Sequence, residues 1–257
     1  MPELSKQQKQ TALKTVEEIL QRCRPLLVGF GGSIAYGLHT PESDIDIRGI
    51  FLNPREEWIG LKPETENLRL NDSDTVLYGL RKAMKLLLGC NPNVIELLGL
   101  RPEHILYCTD EGRKILDQPS VFLSKKAIFT FNSFAIKLRK HIQDEVSKGK
   151  ADRKTICKEM SHLIRIYAMG GELLENGIVL TYREREHELL TDIRAGKYLD
   201  RHKVPTIEYE HLLEDYIGAF NAAAIRTYLP PEPDWEKANE LTMEIAGAYL
   251  NYRGEFR

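Results

Sequence analysis

Two aspartates, Asp44 and Asp46, lie in the run Ser43-Asp44-Ile45-Asp46-Ile47-Arg48, a polar loop downstream of Gly31-Gly32-Ser33. In an extended chain residues i and i+2 share a face, so the two carboxylates point one way, with stems roughly 6–7 Å apart. Ile45 and Ile47 then point into the core. Oxygen ligands so placed suit a pair of divalent cations about 3.5–4 Å apart, Mg²⁺ or Mn²⁺ rather than zinc. Such a pair lowers the pKa of an attacking hydroxyl and neutralises phosphate charge, which is the chemistry of phosphoryl transfer. The Gly31-Gly32-Ser33 turn supplies the complementary part, because backbone without side chains approaches a phosphate closely and Ser33 adds a hydroxyl donor. A helix starting near Ile34 would add a favourable dipole.

The elements that must position these groups are legible from periodicity. Ala12, Leu13, Val16, Ile19, Leu20 and Cys23 recur at helical spacing, with Ser5 and Gln8 as a capping box and Pro25 as the stop. Residues 26–30 read as a short buried strand, and the segment from Asp44 to Leu52 as a second strand carrying both aspartates. A third strand is expected around Thr75-Val76-Leu77-Tyr78, running into a basic amphipathic helix from Leu80 to Leu88. Asn91-Pro92 restarts the chain as a helix, with Asn as N-cap and Pro at its first position.

Beyond about Ser120 strand-like alternation fades and helical patterns take over, over 120–149, 152–176, 184–195, 206–227 and 235–250. The order is a small mixed αβ unit followed by an all-α unit, divided here as residues 1–118 and 119–257. Among 257 residues, 36 basic and 38 acidic side chains give a net charge of -2, so a nucleic-acid surface or anion site must be local. Four dispersed cysteines without a CxxC pair imply reduced thiols. The polar N-terminus and the lack of long apolar windows lead to the expectation of a soluble cytoplasmic protein with no membrane contact.

A Gly-Ser turn after an apolar strand, followed by Asp-x-Asp on the next strand, is far more restrictive than either alone. The run GGSIAYGLHTPESDIDIRGIF resembles the signature of the DNA polymerase β superfamily of nucleotidyltransferases. Within it, the chain resembles the RNA-repair-pathway family whose members are associated with RNA ligases. That narrower resemblance rests on SDIDIRGIF, on DTVLYGLRKAMKLLLGCNPNVIELL at 74–98, on HLIRIYAMGGELLENG at 162–177 and on IRAGKY at 193–198. It implies a nucleotidyltransferase-fold catalytic domain with a mixed sheet, an α-helical domain after it, and an active site in the cleft between them. Gly32 and Ser33 match the triphosphate-contacting pair, and Asp44 and Asp46 the paired metal ligands. Asp74 matches a third carboxylate that ligates metal and activates the incoming hydroxyl, with Asp72 close by at the same parity.

Other residues carry two readings each. Arg48 pairs either with a phosphate or with an aspartate on its own strand face, and Tyr36 either stacks on a base or packs. Lys158, His162 and Arg165 form a cationic stripe at i, i+4 and i+7, either an exposed polar face or, as the resemblance favours, a contact to nucleotide phosphates or an acceptor strand. Arg194 and Lys197 extend that patch, although Glu184, Glu186, Glu188 and Asp192 counter it. Glu96 is either a further candidate for the third carboxylate that the resemblance implies or, as the ordinary reading, a surface carboxylate on a helix whose apolar face is buried. The expected reaction is Mg²⁺-dependent transfer of a nucleoside monophosphate from an NTP to an acceptor hydroxyl, an RNA end being the first choice of acceptor. The alternatives are AMP transfer to a protein or small molecule, and a nucleotide-binding module without turnover. Oligomeric state has no signature in the sequence.

Overall fold

The first helix, α1 (Lys6–Arg22), opens with the capping box read from sequence: the Ser5 hydroxyl accepts from Gln8 N and the Gln8 side chain accepts from Ser5 N. A computed structural model of the chain describes residues 4–70, 74–149 and 152–250. The buried face of α1 is Gln8, Ala12, Thr15 and Ile19, whereas Leu13 and Leu20 are exposed, so the apolar set read from periodicity is rotated. The reason is that Gln8 is used twice. Its Nε2 donates to the carbonyls of Thr40 at 2.9 Å and Ser43 at 3.1 Å, which ties down the loop leading into Asp44.

After α1 come β1 (Arg24–Phe30), the single-turn α2 (Gly32–Tyr36), β2 (Ile47–Leu52), α3 (Arg55–Ile59), β3 (Asn67–Arg69) and β4 (Thr75–Gly79). Then follow α4 (Leu80–Leu88), α5 (Pro92–Ile95), β5 (Ile105–Cys108) and α6 (Asp110–Leu116). The strands form one mixed sheet in the order β3-β4-β2-β1-β5, in which β2 and β4 are parallel and the other pairs antiparallel. Strands β3 and β5 and helices α3 and α6 have no counterpart in the sequence reading, the strands being too short for a period of two to show.

The sheet is covered on both faces, which is why β1 and β2 are close to continuously apolar. Val28, Phe30, Ile47 and Leu77 meet Ala12 and Ile19 of α1. Leu27, Ile50 and Leu52 meet Leu80 and Leu87 of α4 on the other face. A register shift between Pro25 and Leu27 turns Leu26 to the α4 face beside Leu27. Fully burying one side chain such as Ile19 stabilises the fold by roughly 1.5–3 kcal/mol, and Ile19→Ala would remove that and leave a cavity.

Five helices follow among the described residues: α7 (Lys126–Lys148), α8 (Arg153–Asn176), α9 (His187–Arg194), α10 (Ile207–Arg226) and α11 (Trp235–Leu250). Asp152 caps α8, its side chain accepting from Thr155 N, and Gly177 ends it in the left-handed conformation. Helix α8 is the axis of the second core, with Ile156, Met160, Ile164 and Leu173 packed among Phe131 of α7 and Phe220 of α10. Helix α11 buries Ala238, Leu241 and Ile245 against the α4 side of the sheet, so the chain crosses back onto the αβ unit at its end. All four cysteines are free, with Cys90 and Cys157 buried. Among the described residues no helix is long and apolar enough to cross a membrane.

Candidate functional site

The strand expected from Asp44 begins only at Ile47. Asp44 to Asp46 is an irregular lead-in, held by a hydrogen bond from Gly31 N to the Asp46 carbonyl at 2.9 Å. The alternation of faces nonetheless holds, because Ile45 and Ile47 are buried and Asp46 is partly exposed. Strands β2 and β4 run parallel with Ile47 opposite Thr75, so Asp46 and Asp74 lead two neighbouring strands at one end of the sheet. Asp44 and Asp74 are exposed. Asp72 lies outside the described residues.

Gly32 opens α2 with φ of +54°, and a side chain there would overlap the Asp46 carboxylate. Glycine is therefore needed twice, for the left-handed backbone and for the approach of Asp46. With α2 only one turn long, free N–H groups of that turn, rather than an extended dipole, are what it offers an anion. The Ser33 side chain is buried beneath that turn and lines the cavities on both sides of Asp46.

One cavity, of about 190 Å³, brings together Gly32, Ser33, Tyr36, Asp46 and Arg48 of the αβ unit. Its other wall is Lys158, Ser161, His162 and Arg165 of α8, with Arg194 of α9 and Asn93 and Glu96 of the α5 segment. A neighbouring cavity of about 370 Å³ shares Ser33, Leu38, Asp46, Lys158 and Arg194 and adds Asp44, Lys154 and Thr191. Asp46 thus stands between two cavities. Asp74 lines neither but is linked through Arg48, whose Nη1 donates to the Asp74 carbonyl and to the Ile47 carbonyl.

Burial pushes the Asp46 carboxyl up from its ordinary value, Arg48 and Lys158 pull it down, and the like charges of Asp74 and Asp44 push it up again. Asp46 therefore feels both Asp74 and Asp44 at this end of the sheet, and all three offer hard oxygen donors. Among the described residues no group of three or more His, Cys, Asp or Glu side chains is already gathered tightly enough to hold a metal.

The α8 stripe is not a uniformly exposed polar face. Lys158 is exposed, but Arg165 is buried, its guanidinium 3.7 Å from the Tyr36 ring centroid and its Nη1 3.4 Å from Glu96 Oε2. His162 is not a cation of that stripe: burial, then Arg165, Arg194 and Lys158, hold it well below its ordinary value and therefore neutral. Arg194 Nη1 donates to the Leu38 carbonyl at 2.8 Å, which ties α9 to the segment after α2. Lys197 instead pairs with Asp192 at the surface. Arg165 Nε and Nη2, His162 Nε2 and Arg194 Nε are closed to solvent and have no hydrogen-bond partner.

Glu96 corrects the sequence reading most sharply. It is 4% exposed, and its Oε2 also accepts from the Tyr36 hydroxyl at 2.9 Å. Burial raises its carboxyl, while Arg165 and the Tyr36 hydrogen bond lower it. The signal for its burial was present in sequence: Val94-Ile95-Glu96-Leu97-Leu98 leaves no polar side on which to place it.

The model of the RNA repair pathway DNA polymerase beta family matches residues 6–244. The chain belongs to that family. Membership makes it a polymerase-β-type nucleotidyltransferase of an RNA repair pathway, with a mixed αβ sheet unit followed by helices. A solved structure described as a nucleotidyltransferase-like protein from Exiguobacterium sibiricum matches 95% of this chain and 80% of its own length, at 12% identity and a TM-score of 0.29. A likeness of that size carries no argument about this family member. No curated protein matches the chain.

Proposed function

We propose that this chain transfers a nucleoside monophosphate from an NTP to a hydroxyl at an RNA end, releasing pyrophosphate. The observation that supports this best is the position of Asp46, beside the Gly32-Ser33 turn and between a cation-lined cavity and a second, wider one. The acceptor oxygen forms a bond to the α-phosphorus, the bridging α–β P–O bond breaks, and pyrophosphate leaves with its charge. Asp44, Asp46 and Asp74 would hold Mg²⁺ or Mn²⁺, two ions in all, which when bound supply charge neutralisation and a more acidic acceptor hydroxyl.

The remaining work belongs to the chain's own groups. The Gly32-Ser33 backbone and the Ser33 hydroxyl bind phosphate oxygens, and Lys158 and Arg194 draw the polyphosphate into the smaller cavity. Arg165 and neutral His162 offer buried donors that have no partner in the free protein. Asp74, exposed at the head of β4, takes the acceptor proton. Arg48 keeps β4 registered on β2 at this end by bonding the Asp74 carbonyl. The RNA acceptor rests on family membership, since a net charge of -2 provides no general attraction to phosphate backbone.

The test uses each of the four NTPs, labelled on the α-phosphate, with Mg²⁺ and pooled RNA ends, a protein pool and small hydroxyl acceptors. The expected result is pyrophosphate release with label on RNA, lost on chelation and lowered at least about 100-fold in Asp46→Asn and Asp44→Ala. Label on protein or a small molecule would replace the acceptor. No pyrophosphate from any NTP, or full activity in Asp44→Ala, would remove the mechanism.

A further inference from the structure

Glu96 is a buried carboxylate for which the transfer above has no use. Its Oε2 accepts from the Tyr36 hydroxyl at 2.9 Å and from Arg165 Nη1 at 3.4 Å, so the same oxygen joins a residue of α2 to one of α8. The turn bearing Glu96 is itself anchored, because Thr181 Oγ1 donates to the Glu96 carbonyl at 2.6 Å. Arg165 is thereby fixed in two ways, its plane against the Tyr36 ring and its Nη1 toward Glu96.

What remains of the guanidinium is its Nε and Nη2, closed to solvent, unpartnered, and belonging to a side chain 1% exposed that lines the 190 Å³ cavity. Leaving two buried donors unsatisfied is costly, a burden that a bound anion relieves. The Nε–Nη2 edge is one of the two edges with which a guanidinium binds a phosphate through paired hydrogen bonds. Arg48, Lys158 and Arg194 around the same cavity would repel a free Arg165, and Glu96 offsets that repulsion.

We infer that Glu96 is a positioning residue, holding Arg165 with its Nε–Nη2 edge toward a phosphate of the bound nucleotide. This rests on the NTP reading of the cavity. The alternative is a Glu96–Arg165 pair that only joins α8 to the αβ unit. The two differ in what a change at Glu96 does to anion binding once Arg165 is gone.

Inorganic tripolyphosphate and an NTP are titrated calorimetrically into the full chain and its variants, with thermal melts as the folding check. Glu96→Asp keeps the charge but shortens the reach, so Arg165 and Tyr36 cannot both be met. Tripolyphosphate affinity is expected to fall at least about tenfold. Glu96→Gln keeps the accepting oxygen in place and restores affinity to within about threefold. In an Arg165→Met background Glu96→Asp changes affinity by less than about twofold. A purely structural pair predicts the reverse order, with loss of charge in Glu96→Gln the worse change, and a Glu96→Asp effect that persists without Arg165. Either result overturns the inference. Should Glu96→Asp not fold, Tyr36→Phe serves, and its loss of affinity must likewise vanish with Arg165→Met. A wild-type chain that binds neither tripolyphosphate nor any NTP overturns the nucleotide reading itself, whereas binding without coupling between Glu96 and Arg165 overturns only the role given to Glu96.

Discussion

Replacing Gly32 by alanine should leave a folded protein that has lost its chemistry. Two effects add at this position. The backbone sits at φ of +54°, where a Cβ costs roughly 1–2 kcal/mol. The new methyl would also lie 3.0 Å from Asp46 Cβ and overlap the Asp46 carboxylate, so that side chain must swing away. Because Asp46 is only partly buried and faces a cavity, it has room to move, and the stability loss stays near the backbone figure. For a chain of this size that is a fall in Tm of about 2–8 °C. Function fares worse, since a displacement of about 1 Å at the reacting centre costs on the order of 100-fold in rate. The assay is a thermal melt alongside pyrophosphate release at saturating NTP. A Gly32→Ala protein that melts within this range yet keeps kcat within about threefold would refute the claim that Gly32 exists to let Asp46 approach the phosphate turn.

Two further outcomes concern helix α8. His162 is held below its ordinary value of 6.5, so below that pH the unfolded chain binds a proton that the folded chain refuses. Stability contributed by neutral His162 is therefore present above about pH 6.5 and lost as pH falls, by up to about 1.4 kcal/mol per unit. Urea midpoints measured from about pH 7.5 to 5 should fall more steeply in the wild type than in His162→Asn, and equal slopes would count against the buried neutral imidazole. Gly170→Ala sets helix propensity against packing: alanine gains up to about 1 kcal/mol in α8, but its Cβ would meet Phe131 at 2.7 Å and Phe220 at 2.8 Å in a closed core. Overpacking of this kind costs about 1–3 kcal/mol, so the net change is destabilising, and a higher Tm would show that the two rings yield.

The local determinants were legible in the sequence because they are set by short-range physics. The Ser5–Gln8 box, the Asn91-Pro92 start, the Gly177 stop and the alternation of Ile45 and Ile47 with Asp44 and Asp46 each depend on a few neighbouring residues. The superfamily signature was likewise contained in one stretch, from Gly31 to Phe51. Tertiary structure decided which polar groups lose their water. Nothing local requires Gln8 to turn inward and hold the loop before Asp44, and only tertiary packing brings Arg165 of α8 against Tyr36 and Glu96 and buries it there. The same packing strips His162 of its charge, because burial comes first and Arg194 of α9 adds to the repulsion from Arg165 and Lys158 on its own helix. Spacing can place a carboxylate or a guanidinium on a face; what that face meets depends on contacts such as Arg165–Glu96, sixty-nine residues apart, which no window of sequence contains.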